Sequence, residues 1–265
     1  MSTADATSAA DTAPAPRTRQ RFGCIVVVGG GCYGGYYVRQ LGRAERAGAV
    51  EWNELLVVDR DPACAFARLP DLERPPRSRL VVATWETFFG AYLAGAGVDL
   101  ATRDDAIVPS PLMPHLMADW LVDRARARWP DRGVRVQTID GTLPVPWQRT
   151  GDDGTHYVSF AEWMCPINCI EPARCPATRG ERTWSLPPAL RGYAADERSA
   201  GRGIEPLLFH CTHRAYGVGM IDVRDVLEAD QAIAAHAVGR GASFLIGTVS
   251  HCHGALRRLT LDAPA

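Results

Sequence analysis

The sequence has no lysine: all 29 of its basic residues are arginine. There is consequently no amine for a Schiff base, no P-loop lysine to reach a nucleotide's terminal phosphates, and no Tyr-x-x-x-Lys proton-transfer dyad. Phosphoryl transfer on a Walker loop is excluded with them. Charge imbalance is missing too. A formal net charge of −1 draws the chain neither to nucleic acid nor to an anionic membrane surface. No apolar run reaches the roughly 18–20 residues that a membrane helix needs.

What is present begins with a tail. Residues 1–21, MSTADATSAADTAPAPRTRQR, are rich in Ala, Ser, Thr and Pro and predict a disordered segment. Acidic residues within it count against a transit peptide, and the apolar stretch beyond runs into glycines rather than a cleavage site, so a cytoplasmic location is expected. In that compartment the eight cysteines are expected as thiols or ligands, not as a disulfide framework.

The stretch CIVVVGGGCYGGYYVRQLGRA opens with a buried-strand pattern from Cys24 to Val28 and continues as a helix from about Tyr33 to Ala47. Between them Gly29, Gly31 and Gly34 satisfy G-x-G-x-x-G. The first permits a tight turn, the second lets a pyrophosphate approach the backbone, and the third lets helix and strand pack closely. The next strand, ELLVVDRD, ends at Asp59, whose carboxylate can accept ribose hydroxyls. Asp59 favours NAD over NADP, while Arg60 keeps the phosphate form open. Residues 22–61 thus resemble the Rossmann-type NAD(P)-binding superfamily, and the likeness extends more loosely to about residue 140. FAD-binding proteins and nucleotide-activating enzymes share this glycine turn. The resemblance implies a bound nucleotide cofactor.

Strands and helices go on alternating through SRLVVAT, WETFFGAYLAGA, DDAIVPS, PLMPHLMADWLVDRARARW and GVRVQTI. Such alternation predicts an α/β fold with a parallel, Rossmann-like sheet flanked by helices. Residues 22–140 would form the nucleotide-binding domain. Residues 141–203 would be an inserted hairpin, a cysteine-rich segment and a long loop or lid. Residues 204–265 would complete the sheet as a final β-α-β unit, its helix capped by Asp222 and ended by Gly239.

The inserted segment, MCPINCIEPARCP, carries Cys165, Cys169 and Cys175. HCTHR and HCHG follow the two strands of the last β-α-β unit, placing His210, Cys211, His213, His251, Cys252 and His253 at the carboxyl rim where α/β sheets bind ligands. Cys32 and His115 are expected on the same rim. Thiolate and imidazole ligands suit zinc or an iron–sulfur centre. The candidate metal ligands are Cys165, Cys169, Cys175, Cys211, Cys252 and His253. A redox-active disulfide pair and plain packing are the alternatives for the triplet, and packing is expected for Cys24 and Cys64. His210, His213 and His251 are candidate acid/base groups, whereas His156 and His236 are expected to be structural or on the surface.

Two function classes fit. One is an NAD(P)-dependent oxidoreductase with a metal or iron–sulfur site at the rim. The other is a non-catalytic nucleotide- or metal-binding accessory subunit or sensor, working with a protein partner or as a homo-oligomer.

Overall fold

The computed structural model of the protein describes residues 19–96, 104–139, 141–163, 165 and 169–264. Most of the expected N-terminal tail, residues 1–18, lies outside them.

A run such as Cys24–Val28, apolar and β-branched with no polar face, needs cover on both sides. It forms the centre of strand β1 (Gln20–Val28), in which Ile25, Val26 and Val27 are fully buried. Strand β2 (Val50–Asp59) pairs with it in parallel on one side, followed by β3 (Ser78–Val82), and β4 (Ala106–Val108) pairs in parallel on the other. The chain therefore winds outward from β1 through β2 and β3, then returns to β1's opposite flank. Helix α1 (Cys32–Arg46) covers one face through Val38, Leu41 and Ala44. Helices α2 (Trp85–Ala96), α3 (Leu116–Arg128) and α5 (Val223–His236) fill the other.

The parallel run stops at β4. Its outer neighbour β10 (Val218–Asp222) is antiparallel, as is β9 (Thr212–Ala215) beyond it. Tyr216 (φ 47°) and Gly217 (φ 80°) turn β9 into β10, the pair of left-handed residues that a two-residue hairpin turn demands. A second sheet has the order β6 (Trp147–Thr150), β7 (His156–Ser159), β12 (His253–Leu261), β11 (Ala242–Val249) and β8 (Glu205–His210), with β5 (Val134–Gln137) against the far end of β12. Only β8 and β11 run parallel in it. Helix α4 (Leu186–Ser199) covers its outer face. Between the sheets one core joins Val26, Ile107 and Ile221 of the first to Phe209, Phe244 and Leu259 of the second.

The expectation of a single parallel, Rossmann-like sheet is therefore corrected: the fold is α/β with two mixed sheets. Short connections are the physical reason. Connections of two residues (Tyr216–Gly217), three (Ser250–Cys252) and five (Gly151–Thr155) reverse the chain locally and force antiparallel neighbours, whereas parallel strands need long crossovers. Residues 204–265 divide between the two sheets: β9 and β10 extend the first, whereas β8, β11 and β12 belong to the second.

Local readings change as well. The expected long loop after the cysteines contains helix α4, with Ser185 at its N-cap and its prolines confined to the first turn, where their missing N–H groups cost nothing. The helix expected from Pro111 starts at Leu116. The stretch VEWN, ahead of the expected strand ELLVVDRD, already belongs to β2. Asp222 occupies the N-cap of α5 without a side-chain capping bond; its two oxygens instead take Arg214 Nη1 and Nη2 at 2.6 Å each. Among the described residues no helix is long and apolar enough to cross a membrane.

Candidate functional site

The reversal of strand order at β1 leaves a crevice between the carboxyl ends of β1 and β4, the place where open α/β sheets admit ligands. Gly29, the first residue past β1, has φ +84°. A Cβ on Gly34 would collide with the Gly29 carbonyl oxygen, so helix and turn pack backbone to backbone. Gly31 is the N-cap of α1, has open space where a Cβ would stand, and is followed by a first turn with no acidic residue. The amides of that turn are thus left for an outside acceptor. A cavity of about 320 Å³ opens here, lined by Gly29, Gly31, Gly34, Asp59 and Arg60 with Trp85 across from them. Asp59 is held in place: Oδ2 accepts Gly30 N–H at 2.7 Å and Oδ1 accepts Asp61 N–H at 2.9 Å. Cys32 lines the cavity too, whereas Cys64 is buried against Gly30.

A second cavity, of about 380 Å³, adjoins the first, and Ser110 lines both. Residues Pro109–Pro111 form one wall with Tyr37 of α1. The others bring Cys165, Cys169 and Glu171, then Cys211 and His213, and finally Ser250 of the β11–β12 turn and His253 at the start of β12. The sheet topology accounts for the convergence. β8 and β11 pair with His210 opposite Val249, so the chain leaves both strands at one level and His210 and His251 stack edge to face with centroids 4.8 Å apart.

The histidines divide by role. Ser159 Oγ donates to Ala161 O at 2.8 Å, which uses its one hydrogen, and accepts Ala161 N–H at 2.8 Å. His253 Nδ1, 2.9 Å from the same oxygen, must then be the donor, which leaves Nε2 with a lone pair. Burial holds His210, His213, His251 and His253 below the ordinary imidazole value. His213 and His253 line the second cavity. His210 and His251, expected with His213 as acid/base groups, do not: His251 Nδ1 is 2.8 Å from Ser185 Oγ, and His210 Nε2 is buried with no hydrogen-bond partner among the described residues. His115 lines neither cavity. It sits 3.6 Å from Asp119 and 3.7 Å from Asp153 in an ion network with Arg257.

Among the cysteines, burial pushes the Cys211 and Cys252 thiols up to about 12, and it raises Cys165 as well. Cys175 moves the other way, lowered mainly by a backbone hydrogen bond from Thr178. The expected ligand set of Cys165, Cys169, Cys175, Cys211, Cys252 and His253 is only partly gathered. Among the described residues no three His, Cys, Asp or Glu side chains stand together closely enough to share one metal ion.

Glu171 was invisible to sequence reasoning, although it is the one acid within the cysteine segment. Its residue has φ 49°, and its carboxylate accepts Ser250 Oγ–H at 2.6 Å, His251 N–H at 2.9 Å and Cys252 N–H at 3.1 Å. The β11–β12 turn is pinned to the cysteine segment by this side chain. Ser159 and Trp184 carried no sequence signal either.

Residues 117–262 match the family AF_1314_C, described as "Uncharacterized protein, C-terminal domain". The chain belongs to this family. The AF_1314_C region runs from α3 to the end of β12 and includes Cys165, Cys169, Cys175, Cys211, Cys252 and all the cavity histidines, while the glycine turn lies before it. No curated protein and no solved structure matches the chain.

Proposed function

We propose that the protein binds a dinucleotide, NAD or NADP, along the glycine turn and oxidises or reduces a small substrate held in the adjoining cavity. The observation that carries this reading is the pair of cavities meeting at Ser110 outside the β1–β4 crevice. One wall offers uncapped helix amides, an open Gly31 and a fixed carboxylate, the chemistry that pyrophosphate and ribose hydroxyls require. Asp59 retains free lone pairs on both oxygens after its two amide bonds. Each cavity falls in the size range of small-molecule sites.

A bound nicotinamide supplies the hydride donor or acceptor. His253 acts from the protein side. With Nδ1–H held by Ser159, its Nε2 accepts the proton of a substrate hydroxyl while the carbon loses hydride, leaving a carbonyl product. Prolines, Tyr37, Tyr157 and Ala255 make the rest of the wall largely apolar, which favours a small alcohol or carbonyl compound over a highly charged one.

Titration of the full chain with NAD, NADP and FAD, each in both redox states, tests the reading. Gly31→Asp puts a carboxylate at a position with open space and at a helix N-cap, where it leaves the fold intact. Its expected effect is a roughly 100-fold loss of nucleotide affinity, about 2.7 kcal/mol, with an unchanged unfolding midpoint. Equal affinity in wild type and variant, or no nucleotide binding by the wild type, overturns it. Tight binding with no turnover of any alcohol or aldehyde would make the protein a nucleotide sensor instead of an enzyme.

A further inference from the structure

The wall of the second cavity has charge of one sign only. All 29 basic residues of the chain are arginine, and none of them is among the described residues that line this cavity. The nucleotide cavity, by contrast, has Arg60 in its wall. One acid lines the second cavity, Glu171. Three donors converge on its two oxygens: the Ser250 hydroxyl and the Cys252 N–H on Oε1, and the His251 N–H on Oε2. Donors so placed keep the group a carboxylate, and Oε2 retains an unused lone pair. The neighbouring imidazoles supply no opposing charge at neutral pH, because burial holds His210, His213, His251 and His253 below the ordinary value. Arg182, further along the cysteine segment, gives its guanidinium to Pro172 O at 3.3 Å and Trp184 O at 2.9 Å. A fixed negative charge thus borders a largely apolar cavity, and no cation of the wall answers it.

We infer that the cavity takes a small organic cation, a primary ammonium seated on Glu171, and that the substrate of the proposed oxidoreductase is a short amino alcohol. The second half of this statement rests on the dinucleotide reading; the first does not. An ammonium brings three N–H donors, and a carboxylate with a spare lone pair is the acceptor that forms its strongest hydrogen bond. Tyr37 and Tyr157 line the same wall, and aromatic rings favour an ammonium over an anion. Three prolines, Pro109, Pro111 and Pro114, offer apolar surface to the carbon chain. A metal ion is not the cation, since among the described residues no three His, Cys, Asp or Glu side chains stand together for it. Ser250 ties the carboxylate to the base: its Oγ is 2.6 Å from Glu171 Oε1 and accepts the His253 N–H at 3.2 Å. Carboxylate and base therefore lie at the same end of the β11–β12 pair, so a short molecule held by its ammonium leaves its hydroxyl for His253.

The test is binding of aminopropanol, propanediol and hydroxypropionate to the full chain without nucleotide, by calorimetry and saturation-transfer NMR. The three are matched in size and differ in charge. Aminopropanol is expected to bind at least about tenfold more tightly than propanediol, and hydroxypropionate the most weakly. Glu171→Gln keeps an acceptor oxygen and loses the charge, and is expected to bind aminopropanol and propanediol equally. Because that variant loosens the turn, Pro111→Arg is the second. Pro111 is an exposed residue of the cavity wall, and arginine there adds a guanidinium without touching the Glu171 bonds. Its expected effect is at least about a tenfold loss of aminopropanol affinity with an unchanged unfolding midpoint. Equal affinity of the wild type for aminopropanol and propanediol overturns the inference, as does a preference for aminopropanol that survives either substitution. Nucleotide affinity is expected to be the same in wild type and Glu171→Gln, so failure of the dinucleotide site and failure of the ammonium site are read from separate titrations.

Discussion

Glu171 is the side chain on which the arrangement of the site turns. Burial pushes its carboxyl up, but the Ser250 hydroxyl, the His251 amide, the charge of His213 and the Cys252 amide together outweigh that and hold it below the usual carboxylate range. Glu171→Ala strands two amides and a hydroxyl in a largely dry turn. The expected cost is about 3 kcal/mol by denaturant unfolding, while Glu171→Gln, which keeps one acceptor oxygen, loses about half as much. An Ala variant as stable as wild type would mean that the cysteine segment is held by something other than this latch. Little of this was legible beforehand, because a glutamate among prolines and cysteines gives no periodic signal and its partners lie about 80 residues away in the chain. The glycine turn was legible for the opposite reason: Gly29 and Gly34 answer to backbone constraints within six residues of each other, and local constraints leave local patterns.

Among the elements, α4 shows how prolines mislead. Two consecutive prolines after Ser185 read as a break, yet the first turn of a helix has no use for their missing N–H groups. Leu186, Leu190 and Ala194 recur every four residues and bury one face against Leu245, Val249 and Leu256 of the second sheet. Leu190 is fully buried, so Leu190→Ala is expected to cost about 3 kcal/mol in denaturant unfolding; a change below about 1 kcal/mol would show that α4 is not part of the core. By contrast α2 follows the predicted span WETFFGAYLAGA residue for residue, and α5 buries Val223, Val226, Leu227 and Ile233 along one face, with Ala237 buried at its C-cap. Amphipathic spacing was sufficient in both. Strand partners were harder, since β9 and β10 differ from a parallel pair only through the left-handed turn at Tyr216 and Gly217, and a tyrosine seldom announces such a turn.

At the scale of the whole molecule, two mixed sheets share one core, and the cavities open where the first sheet's switch point faces the second sheet's strand ends. That junction gathers histidines, and it has a pH signature. Burial lowers the pKa of His156, His210, His213, His251 and His253 below the value each has in the unfolded chain. The unfolded chain therefore binds more protons just below pH 6.5, and stability rises with pH through that window. Acidification from pH 7 towards pH 5 is expected to lower the unfolding midpoint steadily, and His156→Gln, whose ring bridges Thr150 and Gln148 inside the hairpin, is expected to flatten part of that slope. A midpoint constant from pH 7 to pH 5 would contradict the burial of these rings.

Nucleotide binding joins the residue, element and domain levels, and its location can be read directly by amide hydrogen exchange with and without saturating NADH. Slowed exchange at the Gly30–Gly35 amides and around Asp59–Asp61, extending to the Ser110 loop and leaving the β6–β7 hairpin unchanged, is the expected result. Exchange unaltered at the glycine turn, or slowed only elsewhere, would contradict the placement of a dinucleotide in the crevice between β1 and β4.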